Sequence, residues 1–321
     1  MARGTAILAD IGGTNARFAR LRDGRIGARR QVRVADHPSL NAALRAYLAS
    51  VDSGPAPRRM AVAAAGPVAG GKVCLTNSPW RISADALRAT FNFKDVVLVN
   101  DFAAVARAVP HLATAHTVAI GGSRGVRGAP VAVLGPGTGL GVAGLVPGPA
   151  GPQMLVTEGG HVTMAPSDAR ESAILEHLRG RFGHVSAERV LSGCGLVNLY
   201  QAIAALDDRP VEALDPAQIT ERAVAGSCRT CAAALATFCA MLGTVAGNLA
   251  LTLGARGGVY LAGGMVPRFV PYLAASAFRD RFDNKGRFSA YLAAVPVRVI
   301  VHPDPAFLGL RALLEGGRRR R

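Results

Sequence analysis

Two glycine-rich stretches of this 321-residue chain have the composition of phosphate-binding turns. In the first, LADIGGTNARFARL, Asp10 ends an apolar run and is followed by Gly12, Gly13, Thr14 and Asn15. Glycines allow several backbone N–H groups to converge on one point, and such a concavity binds phosphate oxygens without lysine. The threonine hydroxyl and asparagine amide add hydrogen-bonding groups, and the aspartate could hold Mg²⁺ directly or through water. A tight hairpin capped by the same aspartate would explain the stretch equally well.

The second stretch, GPGTGLG at residues 135–141, has Gly137, Thr138 and Gly139 at its centre. Neither stretch is the G-x-x-x-x-G-K-[ST] or the G-x-G-x-x-G signature. However, an apolar strand, a glycine–threonine turn and a second apolar strand occur once in each half of the chain. We infer that the two turns together bind the phosphates of one nucleotide.

Asn100 and Asp101 have side chains that could act on a hydroxyl group. They follow the apolar run VVLV, so they stand at the carboxyl end of a short strand, where ligands collect in α/β sheets. A carboxylate at this place can accept the proton of an attacking hydroxyl group. On the residues alone, an N-cap role for Asp101 in the helix that follows is the preferred interpretation.

Three further residues have side chains that suit sugar hydroxyls, which both donate and accept hydrogen bonds. Glu158 and His161 belong to the segment EGGH, where a carboxylate and an imidazole are three residues apart. Glu188, in SAERVLSG, would by default be a solvated helix glutamate. A zinc site at His161 is not expected, because no H-x-x-x-H pair or cysteine cluster follows it.

The surrounding pattern predicts an α/β protein in which apolar runs form strands and amphipathic runs form helices. Strands are predicted within residues 5–20, 60–65, 73–76, 96–99, 131–146, 259–262 and 296–301. Helices are predicted over residues 84–91, from residue 101 onward, over most of 172–253 and over the C-terminal DPAFLGLRALLEGG. A connection rich in glycine, arginine and proline separates the two halves between residues 110 and 130. Because each half contains the strand–turn–strand unit, two similar α/β lobes around a cleft are expected.

The composition excludes several classes of function. No apolar run approaches the roughly 20 residues of a membrane helix, and no signal peptide precedes the first strand, so we expect a cytoplasmic protein without a membrane partner. The net charge of +16 comes from arginines spread along the chain, with one cluster at Arg318–Arg321, and aromatic residues are 5 %. Without a basic stripe or interleaved aromatics, a nucleic-acid partner is not expected.

The five cysteines are expected to be buried free thiols, because their number is odd and their surroundings are apolar. Cys228 and Cys231 form a single C-x-x-C pair in an alanine-rich helix. Without a second pair or neighbouring histidines, we interpret them as structural thiols rather than as a metal or redox site.

Eight stretches in series resemble the bacterial ATP-dependent glucokinases, which belong with the hexokinases to the actin-like ATPase superfamily. The stretches are ADIGGTNARFA, LTNSPW, VNDFAAVA, GPGTGLGVA, TEGGH, ERVLSGCGLVNLY, GGVYLAGGM and DNKGRFS, and they run from residue 9 to residue 289. Ala9 is a departure, since many members of the family have glycine before the aspartate. The resemblance implies a two-lobed ribonuclease-H-like (actin-like ATPase) α/β fold with a central cleft. Residues 1–110 would form a small domain, rejoined by a C-terminal helix at 301–321, and residues 111–300 a large domain.

The resemblance also implies a reaction, in which the γ-phosphate of ATP is transferred to the C6 hydroxyl of glucose. ATP and Mg²⁺ would lie on both glycine turns, with Asp10 near the metal and adenosine on Gly263 and Gly264. Glucose would be held by Asn100, Asp101, Glu158, His161 and Glu188. Asp101 would be the general base, whereas Asn77 and Trp80 would lie near the sugar, with Trp80 structural. The resemblance further implies a homodimer and a role in the first step of glycolysis.

Two alternatives remain open from the sequence. The first is a kinase of another hexose or of an N-acetylhexosamine. Related kinases of that kind typically carry a cysteine-rich zinc motif after the glutamate–glycine–histidine segment, whereas no cysteine occurs here between His161 and Cys194. The second is a non-catalytic regulator that binds sugar, for which an intact Asp101 would serve no purpose.

Overall fold

The computed structural model describes residues 5–51, 54–75, 78–149 and 151–316, which form two compact units. The first unit contains the described residues up to Ala113 and those from His302 onward, and the second runs from Thr114 to Val301. Each unit has its own sheet and its own hydrophobic core. Thr76, Asn77 and the cluster Arg318–Arg321 lie outside the described residues.

The first unit is built on a five-stranded sheet and a separate two-stranded hairpin. Its strands are β1 (Ala6–Ile11), β2 (Asn15–Arg22), β3 (Arg25–Arg33), β4 (Arg59–Ala64), β5 (Lys72–Cys74), β6 (Arg81–Ser83) and β7 (Asp95–Asn100). The large sheet has the order β3-β2-β1-β4-β7. Strands β1, β2 and β3 are antiparallel neighbours, and β1, β4 and β7 are parallel.

The helices of the first unit begin at side chains that can cap them. They are α1 (Leu40–Ser50), α2 (Ala84–Phe91) and α3 (Asp101–Ala108), together with the last helix of the chain, Pro305–Gly316. Ser39 and Ser83 cap α1 and α2 by accepting backbone N–H groups three residues on. Trp80 is 1 % exposed, and its indole N–H donates to the carbonyl of His37 at 3.0 Å, so it is a core residue of this unit.

The second unit is built on a six-stranded sheet. Its strands are β8 (Thr117–Gly121), β9 (Val131–Pro136), β10 (Leu140–Val146), β11 (Gln153–Val156), β12 (Gly258–Leu261) and β13 (Val297–Ile300), in the order β11-β10-β9-β12-β13-β8. Its helices are α4 (Ala169–Phe182), α5 (Gly193–Leu206), α6 (Pro216–Val224), α7 (Arg229–Leu253), α8 (Val270–Ala275), α9 (Phe278–Asp283) and α10 (Ser289–Ala293). The last helix, Pro305–Gly316, is therefore α11.

The two sheets share one topology. In each, three antiparallel strands joined by hairpins are followed by two parallel strands: β3-β2-β1 then β4-β7, and β11-β10-β9 then β12-β13. The glycine turns occupy equivalent places, after β1 in the first unit and after β9 in the second. The internal repeat inferred from the sequence is thus a repeat of sheet topology.

Helix α7 has 25 residues and is long and apolar enough, by length and composition alone, to span a membrane. The sequence did not suggest this, because threonine and asparagine interrupt its apolar runs. However, 72 % of its most apolar window is buried inside the protein, where it belongs to the core of the second unit. This is the behaviour of a central core helix.

All five cysteines are free thiols, as expected, but the expectation that they are buried is wrong for part of the set. Cys74 and Cys194 are exposed and Cys228 is half-buried, whereas Cys231 and Cys239 are buried. Cys74 lies in a strand and Cys194 in a helix, where neighbouring positions in the sequence face different sides of the element. Apolar neighbours in the sequence therefore do not show that a cysteine is buried.

Helices α3 and α11 pack closely because one position carries no side chain. A Cβ atom on Gly309 of α11 would overlap the carbonyl oxygen of Ala104 in α3. We therefore expect Gly309→Ala to force the helices apart and lower the free energy of unfolding by about 1–3 kcal/mol. Urea denaturation measures this change.

Gly180→Ala is the matched control, since Gly180 lies inside α4 and an added Cβ would meet nothing within 4 Å. There the substitution should raise stability by up to about 1 kcal/mol through helix propensity. Equal effects at the two positions would contradict the close approach of α3 and α11.

Candidate active site

The first glycine turn is a closed hairpin. Strand β1 ends at Ile11, strand β2 begins at Asn15, and the N–H of Gly12 donates to the carbonyl of Asn15 at 2.9 Å. The hairpin interpretation of the sequence is therefore correct as local structure. It also means that the N–H of Gly12 is directed into the turn, so a phosphate would have to be met by the backbone of Gly13 and Thr14, whose side chain is exposed.

Asp10 lies opposite Arg17 in the β1–β2 ladder, and their side chains form an ion pair at 3.3 Å. Burial raises the pKa of the Asp10 carboxyl, while the charge and hydrogen bond of Arg17 oppose that rise and Asp304 adds to it. The Asp10 side chain keeps 18 % of its surface exposed, so a ligand can reach it.

Asp304, just before α11, was not among the residues that the sequence singled out. Its carboxylate lies 4.0 Å from Arg17 and 3.7 Å from Arg29, so two carboxylates share the Arg17 guanidinium. The described residues contain no cluster of three or more potential metal ligands. One or two carboxylates with open coordination positions fit Mg²⁺, which usually reaches a protein together with substrate phosphates and water.

Asn15 is held by a short network on the same hairpin. Its side-chain oxygen accepts a hydrogen bond from Gln31 at 3.2 Å, and the Gln31 oxygen accepts one from Arg17 at 3.0 Å. Arg17 thus links Asn15 to Asp10. The network fixes both side chains at the edge of the turn.

Asn100, and not Asp101, is the N-cap of α3. The Asn100 side-chain oxygen accepts the N–H of Ala103 at 3.1 Å, and its amide donates to the carbonyl of Gly66 at 3.2 Å. Asp101 is the first residue of the helix, and its carboxylate accepts the N–H of Phe102 at 2.9 Å. The N-cap interpretation of Asp101 is therefore wrong, because the preceding asparagine fills that position.

The parallel strands bring these residues of the first unit to one edge of its sheet. Ile11 is in register with Ala64, and Ala64 is in register with Asn100. Two strand spacings separate the ends of β1 and β7, which is about 10 Å. The first glycine turn and the Asn100–Asp101 pair thus lie at the same sheet edge.

The second glycine turn is packed backbone against backbone. A Cβ on Gly135 would lie 2.5 Å from the carbonyl oxygen of Ala262, and Gly263, at φ +84°, would overlap the carbonyl of Pro136. The N–H of Gly193, which begins α5, donates to the carbonyl of Gly137 at 2.8 Å. The glycine pair at 263–264 and the second turn are therefore neighbours.

Glu188 lies at this turn and is not the solvated helix glutamate that its local sequence suggests. It belongs to a 3₁₀ turn, Ala187–Arg189, and its Oε2 accepts the N–H of Leu140 at 2.8 Å. Its Oε1 lies 3.9 Å from Nδ1 of His161, whose side chain is 60 % exposed. A carboxylate and an accessible imidazole are therefore together beside the turn, a combination that suits hydroxyl groups.

Glu158 and Thr138 complete the residues predicted in this unit. Glu158 is exposed and starts the 3₁₀ turn Gly159–His161 by accepting the N–H of His161 on its carbonyl at 3.0 Å. Thr138 is exposed at the tip of the second turn. The structure thus holds His161 and Glu188 in contact distance of each other, with Glu158 at the start of the same segment.

A cavity of about 460 Å³ lies beside the glycine pair and was missed by the sequence analysis. Its lining is mainly apolar and comes from α6 and from the segment after Gly264. The lining residues are Pro216, Ala217, Thr220, Glu221, Val224, Ala225, Met265, Arg268 and Phe269. No motif marks these residues, because they are brought together only by the packing of α6.

Comparison with known proteins agrees with this geometry. A protein-family model described as Glucokinase matches residues 7–316. The chain is 50 % identical over 310 residues to a glucokinase of Paramagnetospirillum magneticum, covering 96 % of this chain and 97 % of the relative. It is 48 % identical over 315 residues to a glucokinase of Klebsiella pneumoniae, covering 96 % of each.

A crystal structure of a glucokinase from an Antarctic psychrotroph superposes with a TM-score of 0.87 at 39 % identity, covering 97 % of this chain and 98 % of that one. The match extends over both units, each of which has the repeated sheet topology described above. The fold is therefore the two-lobed actin-like ATPase fold.

The contact of Glu188 with the second turn generates a test that needs no ligand. A Cβ on Gly139 would overlap Oε2 of Glu188, so Gly139→Ala should displace the carboxylate from the N–H of Leu140. Losing a hydrogen bond to a charged group costs about 1.5–3 kcal/mol, so we expect the Leu140 amide to exchange with deuterium roughly ten to a hundred times faster.

The matched control is Gly137→Ala in the same turn, where an added Cβ would meet nothing closer than 4.0 Å. Its Leu140 amide should exchange at the wild-type rate. An unchanged rate in Gly139→Ala would show that Glu188 does not hold the turn.

Proposed function

Since the chain belongs to the glucokinase family, we propose that it transfers the γ-phosphate of ATP to the C6 hydroxyl of D-glucose, giving glucose 6-phosphate and ADP. The observation that carries the proposal is that Asn100 and Asp101 occupy different positions at the start of α3. The asparagine caps α3, and the neighbouring Asp101 carboxylate lies at the carboxyl edge of the sheet. A carboxylate in this position can take the proton of a sugar hydroxyl as the hydroxyl attacks phosphorus.

In this proposal, polar side chains bind the hydroxyl groups of the sugar. Asn100 offers its amide to a hydroxyl group, and Glu158, His161 and Glu188 offer acceptors and an imidazole. The contact between Leu140 and Glu188 supports this role, because it fixes one carboxylate oxygen and keeps the other 3.9 Å from His161. Asp101 orients the C6 hydroxyl and receives its proton.

ATP is the phosphoryl donor, and its phosphates contact the two glycine turns. In the first unit these contacts come from Gly12, Gly13, Thr14 and Asn15, with the backbone of Gly13 and Thr14 meeting the phosphate. In the second unit they come from Gly137, Thr138 and Gly139. Mg²⁺, when bound with ATP, neutralises phosphate charge, and Asp10 is the residue that would hold it, directly or through water.

The adenosine end of ATP has a place in the second unit. The cavity of about 460 Å³ is lined in part by Met265, which follows Gly264 in the chain, and an added Cβ on Gly264 would meet nothing within 4 Å. Its mainly apolar lining suits a flat nucleobase. We assign adenosine to Gly263, Gly264 and this cavity.

The family resemblance supports three further parts of the proposal. The protein acts in the cytoplasm as a homodimer, and its reaction is the first step of glycolysis. The domain division at about residues 110 and 300 belongs to the same proposal, with the C-terminal helix joined to the small domain.

A comparison of sugars tests the function directly. With ATP and Mg²⁺, we expect phosphate transfer to glucose to exceed transfer to mannose, fructose and N-acetylglucosamine, because the relatives at about 50 % identity are glucokinases. A coupled assay of ADP release measures each rate. Activity on an N-acetylated sugar alone would overturn the assignment of the sugar ligands, and a folded, ATP-binding protein without any transfer would be a regulator.

Asp101→Asn tests the general base. The amide keeps the size and hydrogen-bonding capacity of the carboxylate but cannot take a proton, so kcat should fall at least about a hundredfold. Glucose affinity, measured by calorimetry, should stay near the wild-type value. A kcat close to wild type would remove Asp101 from this role.

Asp95→Asn is the matched control on the same strand. Asp95 begins β7, is 49 % exposed and pairs with Arg59 at 3.6 Å. Exposed ion pairs contribute at most about 1 kcal/mol, so this variant should fold and keep its kcat.

A further inference from the structure

Cys228 and Cys231 stand together at the N-terminus of α7. Cys228 is the N-cap, with extended backbone at φ −140° and ψ 115°, and its sulfur accepts the backbone N–H of Cys231 at 3.3 Å. The N-cap side chain and the side chain three residues later face each other at a helix start, as in the capping box. The Cys228 sulfur accordingly lies beside the backbone of Cys231.

The two sulfurs have unequal surroundings. Cys228 is half-buried and reachable from solvent, whereas Cys231 is 0 % exposed within the core of the second unit. Burial acts to raise the pKa of the Cys228 thiol, but hydrogen bonds from Cys231 and from the N–H of Thr230, with the charge of Arg222, outweigh it and lower that pKa. Burial raises the pKa of Cys231. One sulfur is thus a reachable nucleophile, and the other is a protected thiol beside it.

Other uses of the pair agree less well with the structure. A structural zinc site needs four ligands, and the described residues contain no group of three or more that could hold a metal ion. Purely structural thiols would both be enclosed, as Cys239 is, yet the N-cap sulfur is half-exposed. Cys194 is also exposed near a helix start but has no cysteine three residues away in the sequence.

We propose that Cys228 and Cys231 form a reversible dithiol–disulfide site that reacts with small disulfides of the glutathione class. This departs from the structural interpretation that the sequence alone favoured. It does not depend on the proposed kinase activity, because the cysteines are outside the residues assigned to sugar and phosphate.

The exchange occurs in two steps that balance. The Cys228 thiolate attacks one sulfur of the small disulfide, whose S–S bond breaks, and one small thiolate leaves and takes a proton. A mixed disulfide remains on Cys228. The Cys231 sulfur then attacks the Cys228 sulfur and gives up its proton, and the second small thiolate leaves and takes up that proton. In sum, two protein thiols are oxidised and one small disulfide is reduced to two thiols.

The test uses the full chain equilibrated in buffers of increasing oxidised-to-reduced glutathione ratio. Remaining thiols are then alkylated, and peptides are identified by mass spectrometry. We expect the peptide with Cys228 and Cys231 to lose two hydrogen atoms and to resist alkylation, and excess dithiothreitol to reverse both changes. Cys74 and Cys194 should give only mixed disulfides or alkylated thiols.

Two variants separate the steps. Cys231→Ser should retain glutathione on Cys228, because the resolving thiol is absent. Cys228→Ser should leave Cys231 unmodified in the folded protein, since that residue is buried. Serine is itself a good N-cap, so Cys228→Ser should fold. Serine has nearly the size of the buried Cys231 side chain, so Cys231→Ser should fold as well, and circular dichroism checks both proteins.

Cys194→Ser is the matched control, an exposed cysteine in the first turn of α5, and it should form the Cys228–Cys231 bridge as the wild type does. The proposal is overturned if no bridge forms at glutathione ratios where Cys194 of the wild type is already modified. It is also overturned if glutathione on Cys228 persists equally in the wild type and in Cys231→Ser.

Discussion

At the carboxyl ends of β9 and β12, two backbones come so close that neither Gly135 nor Gly263 could carry a side chain. The rest of the second unit's site depends on this approach. It places the carbonyl of Pro136 within reach of the N–H of Met265, at 3.3 Å. It also sets the start of β10, whose Leu140 N–H is bound by Glu188. A side chain at either glycine would move the turn, the glycine pair and the carboxylate together.

In the first unit, the equivalent turn is held by a hydrogen bond and an ion pair rather than by close packing of two backbones. Its turn is closed by the hydrogen bond from Gly12 to Asn15, and its carboxylate is balanced by Arg17 from the opposite strand. Asp304 also approaches Arg17 and pairs with Arg29, so two acidic groups lie beside two guanidinium groups. A bound cation would relieve their mutual repulsion, which is consistent with the placement of Mg²⁺ in the proposed function.

Sequence patterns predicted most strands, both turns and the repeat, because glycine and apolar periodicity act locally. They did not predict β3, β6, β8 and β11. The helix predicted at residues 84–91 has both predicted ends, and the helix predicted from residue 101 begins at Asp101. Contacts between distant segments could not be predicted in this way. Asp304 reaches Arg17 across nearly the whole chain, and α6 meets Met265 and Phe269 at the cavity only through packing. The exposure of Cys228 likewise depends on where α7 enters the core.

The order Asn100–Asp101 matters because a helix cap and a general base have different requirements. A cap needs only an oxygen that accepts backbone N–H groups, whereas a general base needs a carboxylate that can take a proton. An asparagine can cap without charge, and here it does so while its amide binds Gly66. The carboxylate of Asp101 follows one residue later at the same sheet edge, and it accepts the N–H of Phe102 at 2.9 Å. Exchanging the two residues would therefore keep the same two side chains at the site, but it would put the carboxylate in the cap position and remove the general base.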